Sequence, residues 1–191
     1  MKLILFSLIF TLCSFFVVSA DKKKTENEYK QILISEHRAV LKDFSELPDI
    51  KQAIIDENNK FDGLVKVIQL DSTWQINRAL QKTLIHNSIA QVLMKLVQDP
   101  NYNFTEIMLL NNLGSIVAAY PRTSDYWQGD EDKFQQPIIL NGDYSGTTKW
   151  DQSTKTYSFF YCILIKDKKN NIIGVLVAGL DVSKEYLKNS Q

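Results

Sequence analysis

The chain reads as an α+β domain: a long N-terminal helix and further helices packed on one five-stranded antiparallel sheet. Three observations predict this. Apolar residues recur at helical steps from Thr25 to about Gln98. From Phe104 the apolar period drops to two. The segments of period two are joined mostly by short turns, as antiparallel strands are and parallel ones are not.

The first element precedes the domain. Residues 1–20 place Lys2 before an apolar run from Leu3 to Val18 and end on Val18-Ser19-Ala20. That order is a secretory signal peptide cleaved after Ala20. The run of about 16 residues is short of the roughly 20 that span a bilayer. The alternative is a single N-terminal membrane anchor, favoured by Lys22, Lys23 and Lys24 just after the run. The mature chain, 21–191, has one domain's worth of residues, with a helical half at 25–98 and a sheet half at 104–191.

In the helical half, Tyr29, Leu33, Val40, Phe44 and Leu47 form an apolar stripe down one long helix. Pro48 stops it, and Asp49 opens a second, short helix. A third helix is expected near Phe61–Leu70. Asp71-Ser72 then offers an N-cap for a last helix, with a break near Gln81 and an end at Asp99-Pro100. In the sheet half, "TEIMLLN" and "SIVAAYP" make a hairpin across Asn111-Asn112-Leu113-Gly114. "TTKW", "TYSFFYCILI" and "NIIGVLVAGL" are three more strands, so a meander is expected. In the fourth, Tyr157, Phe159, Tyr161 and Ile163 share one face, while Phe160, Cys162 and Leu164 share the other. Both faces are apolar, so both are covered. The helical half is expected to cover one. The segment between the second and third strands, which contains "TSDYWQGDEDKF" (Thr123–Phe134), is expected to cap the other and to enclose a pocket.

Charge excludes some functions. The chain has 22 basic and 22 acidic residues, and cleavage removes only Lys2 from that balance, so no basic surface marks a nucleic-acid partner. The mature chain keeps one cysteine, Cys162, inside an apolar strand: a buried small residue and no disulfide framework. His37 and His86 stand apart from any carboxylate at metal-ligand spacing, so no metal site is expected. There is no nucleophile elbow, phosphate-binding glycine loop or zinc-protease helix, so no enzyme is expected and no cofactor.

Taken in order, Leu70-Asp71-Ser72-Thr73-Trp74, "TSDYWQGDEDK", the Asp151–Tyr157 run and "NIIGVLVAGLDVS" resemble the Cache family of PAS-like sensor domains, of the PhoQ–DcuS–CitA type. The likeness is to its stand-alone exported single-domain members and covers nearly all of the mature chain. It implies periplasmic or secreted recognition of a small molecule, with an amino acid or amine favoured. It also implies a signalling partner, such as a membrane sensor, and a homodimer through the N-terminal helix. It assigns ligand contacts to Arg122 with the pair Tyr126 and Trp127, to Trp150 and Asp151, and to Asp181. Asp130 and Tyr161 join them as polar contacts in the expected pocket. In such a site aromatics wall the ligand and aspartates meet its ammonium. The alternative is an interaction protein that retains the fold, fills its own pocket and dimerises through the N-terminal helix. A second exposed apolar stripe on residues 25–47 would favour that alternative; an open cavity would favour ligand binding.

Overall fold

The structure, a computed structural model, describes residues 24–152 and 155–184. The expected signal peptide, Ser153 and Thr154, and residues 185–191 lie outside the described residues. Among the described residues no helix is long and apolar enough to cross a membrane.

Helix α1 (Glu26–Glu46) opens on a capping box. The Glu28 amide donates to the Thr25 hydroxyl at 3.3 Å, and the Thr25 amide donates to Glu28 Oε2 at 2.6 Å. Its stripe buries Tyr29, Leu33, His37, Leu41 and Phe44. Asn103 donates its amide to His37 Nε2 at 3.0 Å, so Nδ1 carries the proton and donates to the Leu33 carbonyl at 2.8 Å. Pro48 is the first residue of α2 (Pro48–Asn58), where its missing amide costs nothing.

Helix α3 (Leu64–Thr73) follows, and here the chain departs from expectation. Asp71 lies inside α3 and caps no helix. The later helices are α4 (Arg78–Ile85), capped by the Asn77 side chain, and α5 (Ser88–Gln98), capped by Asn87. Two asparagines thus set the breaks, because a short carbonyl side chain can take the orphan amides of the following turn.

The sheet half contributes β1 (Phe104–Asn111), β2 (Ile116–Tyr120), α6 (Asp132–Leu140), β3 (Tyr144–Ser145), β4 (Lys149–Asp151), β5 (Thr156–Lys166) and β6 (Ile172–Asp181). They form one antiparallel six-stranded sheet in the order β2-β1-β6-β5-β3, with β4 also pairing β5. The expectation of a five-stranded meander is corrected on two points. β3 is an additional short strand. β6 returns to pair with β1, because the long excursion after β2 carries the chain to the far edge.

Alternation splits the core into two layers. On one face Ile107, Leu109, Ile163 and Leu176 pack with Leu33 and Leu41 of α1, Ile54 of α2 and Leu93 of α5. On the other, Met108, Leu110, Cys162, Val175 and Val177 pack with Tyr126 and Phe134 of the cap. Val67, Trp74 and Leu84 join that second layer, so the helical half wraps round the β2 edge and covers part of both faces. Burial pushes the Cys162 thiol up, away from reactivity.

Candidate functional site

The cap is held by residues scattered through two sequence blocks. Asp71 Oδ1 accepts from the amides of Tyr126 (2.8 Å) and Trp127 (2.9 Å). The Trp74 indole donates to the Thr123 carbonyl at 3.0 Å, and Gln75 donates to the Ser124 carbonyl. The same segment extends the sheet edge: Ile116 donates to the Tyr126 carbonyl (3.2 Å) and Gln128 to the Gly114 carbonyl (2.8 Å). "LDSTW" and "TSDYW" are therefore two halves of one clasp.

Between this cap and the sheet lies a cavity of about 710 Å³. Its lining comes from β1, the cap, the β3–β4 region and β5. Four of the eight expected contacts line it: Arg122, Asp130, Trp150 and Asp151. Arg122 is exposed and donates to Gln75 Oε1 at 3.2 Å. Trp150 is half exposed at the mouth, edge-on to Tyr157 with ring centroids 5.1 Å apart.

The other four do not line it. Tyr126 is fully buried against Trp74, ring centroids 5.9 Å apart, and burial pushes its hydroxyl up to about 12. Trp127 turns its indole N–H to the Leu113 carbonyl, 2.8 Å away, and packs over the β1–β2 turn. Tyr161 points to the α1 face, where its hydroxyl donates to Asp143 (2.8 Å) and accepts from Arg38 (3.1 Å). Asp181 folds its carboxylate back on the amides of Ser183 (2.8 Å) and Lys184 (3.4 Å). An aspartate ending a strand caps the next turn when amides stand within reach, and Asp181 uses Oδ1 in this way.

Sequence reasoning missed the floor. Glu106 lines the cavity and shares the face of Met108 and Leu110. Its carboxylate has no hydrogen bond or ion pair among the described residues. Burial holds it above the usual carboxylate range, Asp151 and Glu131 add to that, and Lys133 opposes it. Beside it the Thr105 hydroxyl is fully shielded and unpartnered. Gly179 of β6 pairs with Glu106 on one side and Phe160 on the other. A Cβ there would meet Glu106 Cγ at 3.0 Å and the Thr105 hydroxyl closer still, so the missing side chain is what keeps the floor open. Lys133 is buried, pairs with Glu131 at 3.0 Å and lies 4.8 Å from the Phe160 ring centroid. The signal available in the sequence was an acid on the inward face of an otherwise apolar strand. Among the described residues no cluster of three or more His, Cys, Asp or Glu is placed to hold a metal.

No family model and no curated protein matches the chain. Solved structures do. One is the ligand-binding domain of the Campylobacter jejuni chemoreceptor Tlp3 in complex with 4-methylisoleucine, with 20% identity, 84% of this chain and 54% of that one covered, and a TM-score of 0.51. This chain thus spans about half of that domain. Two others are the ligand-binding domain of the Pseudomonas aeruginosa PAO1 amino-acid chemoreceptor PctC with GABA (12% identity, 84% and 62% covered, TM-score 0.40) and the sensor domain of the V. cholerae histidine kinase DctB (13% identity, 77% and 58% covered, TM-score 0.39).

Proposed function

We propose that this chain, which has the Cache-type sensor fold, binds a small organic molecule bearing an ammonium group, an amine or an amino acid, in the cavity between sheet and cap. The mature domain is 21–191, it acts outside the cytoplasm, and it passes occupancy to a separate signalling partner. The observation that carries the reading is Glu106: a half-buried carboxylate on the floor of a cavity, in no hydrogen bond or ion pair among the described residues, while Lys133, the cation that acts on it, is already paired with Glu131. A protein does not keep such a group unpaired for stability, since an uncompensated buried charge costs free energy. A ligand cation supplies the missing partner through a charge-assisted hydrogen bond. The floor also carries Phe160, whose ring already attracts the Lys133 ammonium.

The interaction-protein alternative has less support. The outward side of α1 shows Gln31, Ser35, Glu36, Arg38 and Asp43, and no large apolar side chain of α1 is exposed. The cavity is open and is not filled by the protein's own side chains.

Thermal shift followed by isothermal titration tests the reading, with panels of amines, amino acids and carboxylates against wild type and Glu106→Gln. An ammonium-bearing ligand should stabilise wild type and bind at least about tenfold more weakly to the variant, the equivalent of 1.4 kcal/mol. Binding confined to carboxylates, or unaffected by the substitution, sinks it.

A further inference from the structure

The charges around the cavity are unequal. Glu106, Asp130, Glu131, Asp132 and Asp151 line it, against Arg122, Lys133 and Lys149. The basic groups are already engaged or remote from the floor. Lys133 is paired with Glu131, Arg122 is tied to Gln75, and Lys149 is exposed on β4. The acids left over sit at two levels. Glu106 is on the floor. Asp130 and Asp132 are exposed at the mouth, in no ion pair among the described residues.

We propose that the cavity selects a ligand of net positive charge, an alkyl diamine, with one ammonium on Glu106 at the floor and the other at the acidic mouth. This rests on the reading of the cavity as an ammonium site and deepens it. At the floor an ammonium has three N–H donors to place. Glu106 offers carboxylate oxygens at the cavity surface, while the Thr105 hydroxyl beside it is shielded and makes no direct contact. The alkyl chain then runs between Met108 and Phe160, the apolar part of the lining. At the mouth a second ammonium meets Asp130 and Asp132, with Trp150 alongside. A carboxylate in that place would face the same two acids at the cost of like-charge repulsion. The excess of acid also draws cations toward the mouth before any contact is made.

Three four-carbon probes decide the matter by titration: putrescine, butylamine and γ-aminobutyrate. Putrescine is expected to bind about tenfold tighter than butylamine, and γ-aminobutyrate weakest, since each end contributes a charge-assisted contact worth roughly one decade. The double substitution Asp130→Asn with Asp132→Asn is expected to bring putrescine to within about threefold of butylamine, weakening putrescine far more than butylamine. Those side chains are exposed, so folding is not at stake. Glu106→Gln is expected to weaken both amines together. An advantage of putrescine over butylamine below about threefold (under 0.7 kcal/mol) overturns the diamine assignment. So does γ-aminobutyrate binding as tightly as putrescine. If γ-aminobutyrate or another amino acid binds as tightly as putrescine and Glu106→Gln abolishes it, the ammonium site stands and only the diamine falls. If no amine or amino acid binds, both fall.

Discussion

A single oxygen of Asp71 accepts the backbone amides of both Tyr126 and Trp127, at 2.8 and 2.9 Å, across more than fifty residues of chain. This contact fixes the cap over the sheet and therefore the roof of the cavity. Asp71→Ala leaves two amides without a partner. It should cost ~2–4 kcal/mol, summed over two hydrogen bonds to a charged group. Asp71→Asn keeps one acceptor oxygen and should cost about half as much. Urea unfolding of the three proteins checks this. Equal stability of Asp71→Ala and wild type would show that the clasp contributes nothing.

Gly114 is the second fixed point of the cap. Its φ is +80°, and a Cβ would lie 2.5 Å from the Gly129 Cα and 3.3 Å from the Phe134 ring. Gly114→Ala therefore strains the turn and pushes the cap off β2 at once. A loss of ~2–4 kcal/mol is expected, larger than the ~1 kcal/mol of an ordinary glycine substitution. A loss below 1 kcal/mol would mean that the cap moves freely at this point.

The layers of the fold were legible because they follow from period alone. The switch at Phe104 and the alternation of β5 place most of the two core faces correctly, and an apolar β5 on both sides correctly demands a cap. Topology was less legible. Nothing local in "NIIGVLVAGL" says that it returns beside β1 rather than extending a meander. The lining of the candidate cavity was half legible. Arg122, Asp130, Trp150 and Asp151 reach the cavity because they lie on segments that must border it. Tyr126 was misplaced because a large aromatic in a cap serves equally as its buried underside, and the clasp that turns it inward comes from Asp71, far away in sequence. Glu106 went unread because its neighbours made the strand look like plain core.

The misplaced residues yield a prediction of their own. Tyr161→Phe and Asp181→Asn alter groups that face α1 and the Ser183 turn, away from the cavity. Each should change ligand affinity by less than about twofold, or 0.4 kcal/mol. Tyr161→Phe should also cost little stability, because the Arg38–Asp143 pair at 3.0 Å remains and its Arg38 side is exposed. A tenfold loss of binding in either variant would move the site to the α1 face or the end of β6.

Gly179→Ala tests the floor from the other side. The added methyl meets Glu106 Cγ at 3.0 Å and crowds the Thr105 hydroxyl. Ligand affinity should fall by about tenfold or more, while the sheet, whose backbone pairing is untouched, loses only ~1–2 kcal/mol. Titration and thermal unfolding of the same sample separate the two effects. Unchanged affinity would place the ligand elsewhere than beside Glu106.

Glu106 itself gives the sharpest test, because stability and binding should move in opposite directions. Its carboxyl is held above the unfolded value by burial, so the folded protein holds this proton more tightly than the unfolded chain does. As pH rises from the unfolded value through the folded one, ionisation costs the folded state more, and stability falls and stays lower above that window. Glu106→Gln removes the cost. At neutral pH the unliganded variant should melt above wild type, by about 2–4 °C for ~1 kcal/mol in a chain of this size. Its stability should also lack the decline across that window. Saturating amine reverses the order, because it supplies wild type with the missing counter-ion and the variant with nothing. Thermal melts of both proteins from mildly acidic to neutral pH, with and without amine, read all of this from one set of curves. A variant less stable than wild type in the absence of ligand would show that Glu106 is a structural carboxylate with a partner of its own, and the case for an ammonium site on this floor would end there.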